Sequence, residues 1–226
     1  MNIDYTTFSE TGKRRANQDA FCVIRMPDCN RTLMVVCDGI GGHPLGDIAA
    51  DTVCNTICEF WKNNCNDPDT ETKVMEACKA ASDAVYNCSR AINPIGMGST
   101  MVMASIEGNY ITIAHCGDSR CYLFRNGEVI YQTQDHADSQ CGSEILTKCF
   151  FATAPEVAVP DIARFELQSG DRIFICSDGV YKSMAPHILA ERVQDKNHIE
   201  DVIDVIKFMC EKYSTDNYTG ILAVVE

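Results

Sequence analysis

Three apolar segments of the chain end at an aspartate that has a glycine beside it: LMVVCDG (33–39), IAHCGDS (113–119) and IFICSDG (173–179). Two further aspartates precede apolar segments, Asp19 before FCVIR and Asp216 before ILAVV. A single aspartate in such a place is often only a turn or helix-capping residue. If these segments are strands of one or two packed sheets, however, the five carboxylates meet at one edge.

Carboxylates that meet in this way repel one another, so they need protonation, arginine partners or divalent cations. A ligand set made only of oxygen favours the hard ions Mg²⁺, Mn²⁺ or Ca²⁺ over zinc. Two such ions about 3.5–4 Å apart can activate water for an in-line displacement. The pattern therefore makes five residues candidate metal ligands: Asp19, Asp38, Asp118, Asp178 and Asp216.

Strands and helices are predicted to alternate along most of the chain. Residues 136–169 show little periodicity. This region is either a functional loop or a plain surface excursion, and the sequence does not decide between the two. Runs of strands followed by paired helices predict sheets covered by helices in one layered domain. The predicted strands are Phe21–Arg25, Thr32–Cys37, a meander over 101–133 with a hairpin turn at Asn126-Gly127, one over 171–179 and one over 219–226. The predicted helices are Leu45–Asn63, Thr70–Ala91, Pro186–Val193 and Ile199–Tyr213.

Composition and charge exclude several classes of function. The net charge is −13 and the only basic tract is Lys13–Arg15, so no nucleic-acid partner is expected. No apolar run approaches the ~18 residues of a membrane span and the N-terminus lacks a signal-peptide core, so we expect a cytoplasmic protein with no membrane partner. The 14 cysteines contain no C-x-x-C pair, which argues against zinc and for reduced thiols.

Seven motifs then occur in one order: RRANQDAF, CDGIGGH, GMGST, GDSRCYLFRNG, TQDH, CSDGV and DNYTGILAVV. In this order the sequence resembles the metal-dependent protein serine/threonine phosphatases of the type 2C class (PPM family), and its short bacterial members in particular. The motifs run from Arg14 to Val225. The resemblance implies an α+β fold, a four-layer α-β-β-α sandwich in which a central antiparallel β-sandwich is flanked by helix pairs. It also implies a single phosphatase domain over residues 1–226.

The resemblance assigns roles to individual residues. It implies a centre of two Mg²⁺ or Mn²⁺ ions in which Asp38 bridges the ions, Gly39 offers its carbonyl, and Asp19, Asp178 and Asp216 complete the shell, partly through water. Asp118 matches the position of a weaker third ion and shares it with Asp178. Arg14 matches the phosphate-binding arginine. His43 is a candidate general acid for the leaving alkoxide, or a histidine packed against its own glycine turn.

The implied reaction is hydrolysis of phosphoserine and phosphothreonine in proteins by direct attack of a metal-bound water. The alternatives are a pseudophosphatase or regulatory binding protein on the same fold, and a phosphatase of a small phosphorylated metabolite. The implied partners are a phosphorylated protein and a cognate serine/threonine kinase, and a monomer is expected. One departure from the family is a shortened flap region around 136–169, which leaves substrate choice and third-ion affinity open.

Overall fold

The computed structural model describes residues 1–40, 45–92, 96–140 and 143–226. Within these ranges most strands belong to two antiparallel sheets. The strands are Ile3–Glu10 (β1), Asp19–Met26 (β2), Arg31–Asp38 (β3), Gly98–Ser99 (β4), Met101–Glu107 (β5), Tyr110–Cys116 (β6), Arg120–Arg125 (β7), Glu128–Gln132 (β8), Ala137–Gln140 (β9), Ser143–Leu146 (β10), Phe150–Phe151 (β11), Asp161–Glu166 (β12), Arg172–Cys176 (β13) and Tyr218–Val225 (β14).

The helices of the described ranges fall between these strands. The α-helices are Gly46–Asn63 (α1), Glu71–Ile92 (α2), Asp178–Tyr181 (α3), Pro186–Val193 (α4) and Ile199–Tyr213 (α5), and two short 3₁₀ turns are Pro27–Cys29 and Pro155–Val157. None of the helices is long and apolar enough to cross a membrane, as far as the described residues go. The 13 cysteines that the structure describes are free thiols.

The two large sheets pack face to face. The first sheet has the strand order β1-β14-β13-β7-β8 and the second has the order β12-β6-β5-β3-β2. Strand β3 shows why its sequence is a continuous apolar run, because successive side chains of a strand point to opposite faces. Met34 and Val36 pack between the sheets, whereas Leu33 and Val35 pack beneath helices.

Helices cover the outer face of each sheet. The apolar sides of α1 and α2 bury Ile57, Trp61 and Val85 against the second sheet. On the other side, α5 buries Val202 and Ile206 against the first sheet. The outer helices, two sheets and inner core together make the α-β-β-α sandwich, so the predicted α+β fold class is confirmed.

The helix predictions and the hairpin are confirmed to within a residue, since α1, α2, α4 and α5 begin and end where the apolar spacing places them, and Asn126-Gly127 joins β7 to β8. Several strands were not predicted, among them β1, β9, β10, β11 and β12. Strand β1 buries only Ile3 and Phe8 in the core, and β12 lies at a sheet edge within the region 136–169. Both strands therefore lack the strong apolar signal of a central strand.

Candidate metal centre

Five aspartates lie around one end of the β-sandwich. Asp19 begins β2 and Asp38 ends β3, and the two residues are directly paired across the antiparallel ladder. Asp118 lies between β6 and β7, Asp178 begins α3 just after β13, and Asp216 lies just before β14. A pocket of about 250 Å³ is lined by four of these residues, together with the backbone of Gly39: Asp38, Asp118, Asp178 and Asp216.

Hydrogen bonds hold Asp38 and Asp19 in place. The backbone N–H of Asp38 donates to Thr100 Oγ1 at 3.0 Å, and the Asp38 carbonyl accepts from the Thr100 N–H at 2.9 Å. The Ser177 hydroxyl donates to Asp19 Oδ2 at 2.8 Å. Asp19 Oδ1 is buried and has no hydrogen-bond partner among the residues described. A buried carboxylate oxygen without a donor is costly, and a cation next to it would remove that cost.

The electrostatics of this cluster favour protonation or a cation. Burial raises the pKa of Asp38 well above its ordinary value, and the carboxylates of Asp19, Asp178, Asp118 and Asp216 raise it further. Burial likewise raises the pKa of Asp19 to about 7 and that of Asp118 to about 6. Carboxylates forced together in this way bind divalent cations in place of protons. The donor set therefore fits a hard metal ion.

Side chains alone do not complete a coordination shell. In the described part of the chain, no group of three or more His, Cys, Asp or Glu side chains is placed so that it could hold an ion. Mg²⁺ is usually bound through one or two carboxylates and keeps several waters. Gly39 lines the same pocket, so its backbone carbonyl, together with water, is a candidate for the further oxygens that such a site would need.

The glycines that follow Asp38 and Asp178 are required by close backbone contacts. A Cβ on Gly39 would lie 2.3 Å from the Gly46 carbonyl oxygen at the start of α1. A Cβ on Gly179 would lie 1.9 Å from the Asn217 carbonyl oxygen. The Asp-Gly pairs of the sequence thus place two carboxylates at points where neighbouring segments come too close for any side chain.

The loop between β1 and β2 carries Arg14 and is held by Asn217. The Asn217 amide donates to the carbonyls of Thr11 at 2.7 Å and Ala16 at 2.9 Å, and its oxygen accepts from the Gln18 N–H at 2.9 Å. Arg14 Nη2 lies 2.6 Å from Asp216 Oδ2, and the Arg14 side chain is 46% exposed. The guanidinium is therefore beside the pocket, with donors left for a further anion.

The TQDH motif supports the loop that carries Asp118. The His136 N–H donates to the Gly117 carbonyl at 3.0 Å, and the Gly117 N–H donates to His136 Nδ1 at 3.3 Å. Asp135 accepts from Arg120 Nε at 2.8 Å and from Nη2 at 2.7 Å. This segment thus fixes the residue next to Asp118 through two hydrogen bonds with the backbone.

Lys182 is a residue of this pocket that the sequence analysis missed. Its Nζ lies 2.9 Å from Asp178 Oδ2 and 3.4 Å from Asp118 Oδ2. The four-residue spacing from Asp178 to Lys182 is a visible signal for a helical ion pair. The reach to Asp118, 64 positions away, has no local signal.

The structure thus brings together most of the residues that the sequence predicted. The five aspartates and Gly39 surround one end of the sandwich, and Arg14 joins them through Asp216. His43, the candidate general acid, lies outside the residues that the structure describes.

Comparison with known proteins decides the family. A family model described as protein phosphatase 2C matches residues 9–220, which is nearly the whole chain. The chain belongs to the protein phosphatase 2C family. The resemblance drawn from the seven motifs is therefore confirmed.

Individual relatives agree with this family. The serine/threonine phosphatase stp of Listeria monocytogenes is 26% identical over 230 residues, which cover 92% of this chain and 90% of that protein. The serine/threonine protein phosphatase PstP of Mycobacterium tuberculosis is 26% identical over 240 residues, which cover 99% of this chain but only 45% of PstP. The chain therefore spans less than half the length of PstP.

The fold also matches a solved serine/threonine protein phosphatase structure. The catalytic domain of PstP, described as in complex with two manganese ions, superposes with a TM-score of 0.81 and 24% identity, and the match covers 99% of each chain. At this level of identity the match shows the shared fold. It agrees with the four layers described above.

Proposed function

We propose that this chain hydrolyses phosphoserine and phosphothreonine monoesters of proteins with the help of two divalent metal ions. Its family and the names of its relatives indicate a serine/threonine protein phosphatase. The observation that carries the proposal is the convergence of carboxylates on Asp38, because four neighbouring carboxylates raise the pKa of Asp38 beyond the effect of burial. Such a cluster is suited to binding hard cations.

Asp38 and the carbonyl of Gly39 would hold the two ions, with Asp19, Asp178 and Asp216 completing the shell partly through water. Manganese is supported by the PstP catalytic domain, whose structure is described with two manganese ions, and Mg²⁺ has the same preference for oxygen. When bound, such ions lower the pKa of water and offset negative charge on a phosphoryl group.

Arg14 would bind the phosphate of the substrate. A guanidinium has five N–H donors in a planar fork that matches two phosphate oxygens. Arg14 uses Nη2 for Asp216, and its half-exposed side chain leaves the remaining donors at the rim. Asn217 would keep this loop in place through its three hydrogen bonds to backbone groups.

His43 would act as general acid and donate a proton from its imidazole to the serine or threonine oxygen as the P–O bond breaks. The segment that holds it follows Asp38, Gly39 and Ile40 in the sequence. Because an imidazole titrates near neutral pH, a variant such as His43→Gln would lose activity mostly on substrates with a poor leaving group.

The proposed setting is a monomeric cytoplasmic enzyme, formed as one phosphatase domain over residues 1–226. A serine/threonine kinase would supply its phosphoprotein substrates. The region 136–169 would act as a shortened flap beside the pocket, since Leu146 lines the pocket wall. A short flap would leave room for a phosphorylated loop of a protein.

The first experiment is hydrolysis of p-nitrophenyl phosphate and a phosphothreonine peptide with Mn²⁺, Mg²⁺ or EDTA. We expect turnover that needs the metal, and loss of both metal binding and turnover in Asp38→Asn while the circular dichroism spectrum is kept. Asp83→Asn is the matched control, because Asp83 is an exposed aspartate paired with Lys79 on α2. Unchanged metal affinity in Asp38→Asn, or turnover in EDTA, would overturn the proposal. Turnover of small phosphorylated metabolites but not of the peptide would assign a different substrate class.

A further inference from the structure

A lysine side chain occupies the space between two of the predicted metal ligands. Lys182 Nζ lies 2.9 Å from Asp178 Oδ2 and 3.4 Å from Asp118 Oδ2. Both carboxylates line the same pocket as Lys182. The ammonium is therefore already a cation shared by this pair of aspartates.

The local backbone places Lys182 in this position. The Lys182 N–H donates to the Asp178 carbonyl at 2.9 Å, which closes one helical turn and puts the two side chains on one side. The Tyr181 ring lies 5.8 Å from the Lys182 Nζ. The same ring also contacts Arg120, whose guanidinium lies 3.6 Å from the Tyr181 ring centroid and is paired with Asp135.

The ammonium does not fit together with a metal ion at the same two carboxylates. Hard cations bind carboxylate oxygens at roughly 2.0–2.6 Å, so an ion held by Asp118 Oδ2 and Asp178 Oδ2 would compete with Lys182 Nζ for the same two oxygens. The resemblance to the family implies a weaker third ion at this pair, whereas the residues present hold a lysine there. The structure and the implied third ion thus disagree.

We propose that the Lys182 ammonium takes the place of the third divalent ion, so that this chain binds two ions where its side chains would otherwise allow three. Lys182 is a positioning residue in this role, because it balances the charge of Asp118 and Asp178 rather than contacting the reacting atoms. The inference rests on the proposed two-metal function. Under this proposal, the side chain at position 182 decides whether the protein binds two ions or three.

The test is the number of Mn²⁺ ions bound per chain, measured by equilibrium dialysis with mass-spectrometric metal analysis and by the paramagnetic resonance signal of free Mn²⁺. The wild type should bind about two ions and Lys182→Met about three, the added one with the weakest affinity. Adding Asp118→Asn to Lys182→Met should return the number to about two. Lys182→Arg keeps a cation and should also bind about two.

Lys79→Met is the matched control. It removes one lysine charge from an exposed pair with Asp83, again at a four-residue spacing on a helix. This variant should bind the same number of ions as the wild type, since α2 lies on the other side of the second sheet from α3. A third ion in Lys79→Met would show that net charge alone sets the number, and would overturn the inference.

Two other results overturn it as well. Three ions in the wild type would mean that a metal ion displaces the Lys182 ammonium. Two ions in Lys182→Met would mean that Asp118 and Asp178 cannot hold a third ion even when the ammonium is removed. Both results leave the two-metal proposal standing. A wild-type chain that binds no Mn²⁺ would instead refute the proposed function and the inference with it.

Discussion

Asp19 should destabilise the metal-free protein at neutral and alkaline pH. Its pKa is raised from 3.8 to about 7 because the carboxyl is buried, and the neighbouring charges of Asp178 and Asp216 add to the effect. Without divalent ions, Asp19→Asn removes a charge that the folded state disfavours. The variant should therefore be more stable than the wild type under these conditions.

The size and sign follow from proton linkage. Between pH 3.8 and about 7 the folded state holds a proton on Asp19 that the unfolded state has released, so stability falls as the pH rises. The contribution is fully present below pH 3.8 and is lost once the pH passes about 7. At about 1.4 kcal/mol per pH unit, the loss is about 4 kcal/mol. That is a large fraction of the roughly 5–15 kcal/mol that stabilises a domain.

The measurement is urea unfolding of both proteins in EDTA at acidic and alkaline pH, followed by circular dichroism. Asp19→Asn should gain up to about 4 kcal/mol over the wild type at alkaline pH, and little at a pH near 4. In saturating Mn²⁺ the order should reverse, because the wild type gains binding energy that the variant lacks. Asp83→Asn controls for the loss of one exposed carboxylate.

One result would refute this reasoning directly. If Asp19→Asn were no more stable than the wild type in EDTA at alkaline pH, the carboxylate would already be compensated without a metal. The raised pKa would then not describe the metal-free protein.

Three further changes test the parts around the pocket. Arg14→Ala should raise KM for phosphoester substrates at least about tenfold. Its Mn²⁺ affinity, measured by calorimetry, should be kept or increased, because Asp216 loses its cation partner. A lower metal affinity with an unchanged KM would contradict the phosphate role of Arg14. Asn217→Ala removes three hydrogen bonds and should cost about 2–4 kcal/mol in urea unfolding, and a cost within error would show that the loop between β1 and β2 is held by other contacts. Gly39→Ala should cost about 1–3 kcal/mol and weaken Mn²⁺ binding, because its Cβ would press on the Gly46 carbonyl; full stability would show that α1 can shift at no cost.

Much of the fold could be predicted because its signals are local. The apolar runs that end at Asp38 and Asp178 are buried strands, and the helices have apolar residues at helical spacing. Strand β1 could not be found in this way. Its residues pair with β14, from Ile3 with Val225 to Glu10 with Tyr218, and such a contact between distant parts of the chain leaves no pattern within either segment.

The candidate site, too, could be predicted only where its signals are local in the sequence. Aspartates at the ends of apolar segments, three of them beside a glycine, indicated which carboxylates to consider, and family resemblance supplied their roles. The contact of Lys182 with Asp118 depends on how the β6–β7 loop and α3 pack, so the sequence shows only the spacing to Asp178. Whether a positive side chain lies inside an acidic pocket depends on the tertiary fold.

The pairing of β1 with β14 also brings the first and last residues of the printed sequence together. Strand β1 runs toward the loop that carries Arg14, and β14 runs away from Asp216, so Ile3 and Val225 pair at the end of the sandwich remote from the carboxylates. There the Glu226 N–H donates to the Asn2 carbonyl at 3.0 Å. In a protein made of residues 1–226, a short peptide could join Met1 to Glu226, and the resulting ring could be reopened at the exposed Asn126-Gly127 turn. Such a circular permutant would keep every strand that carries a carboxylate.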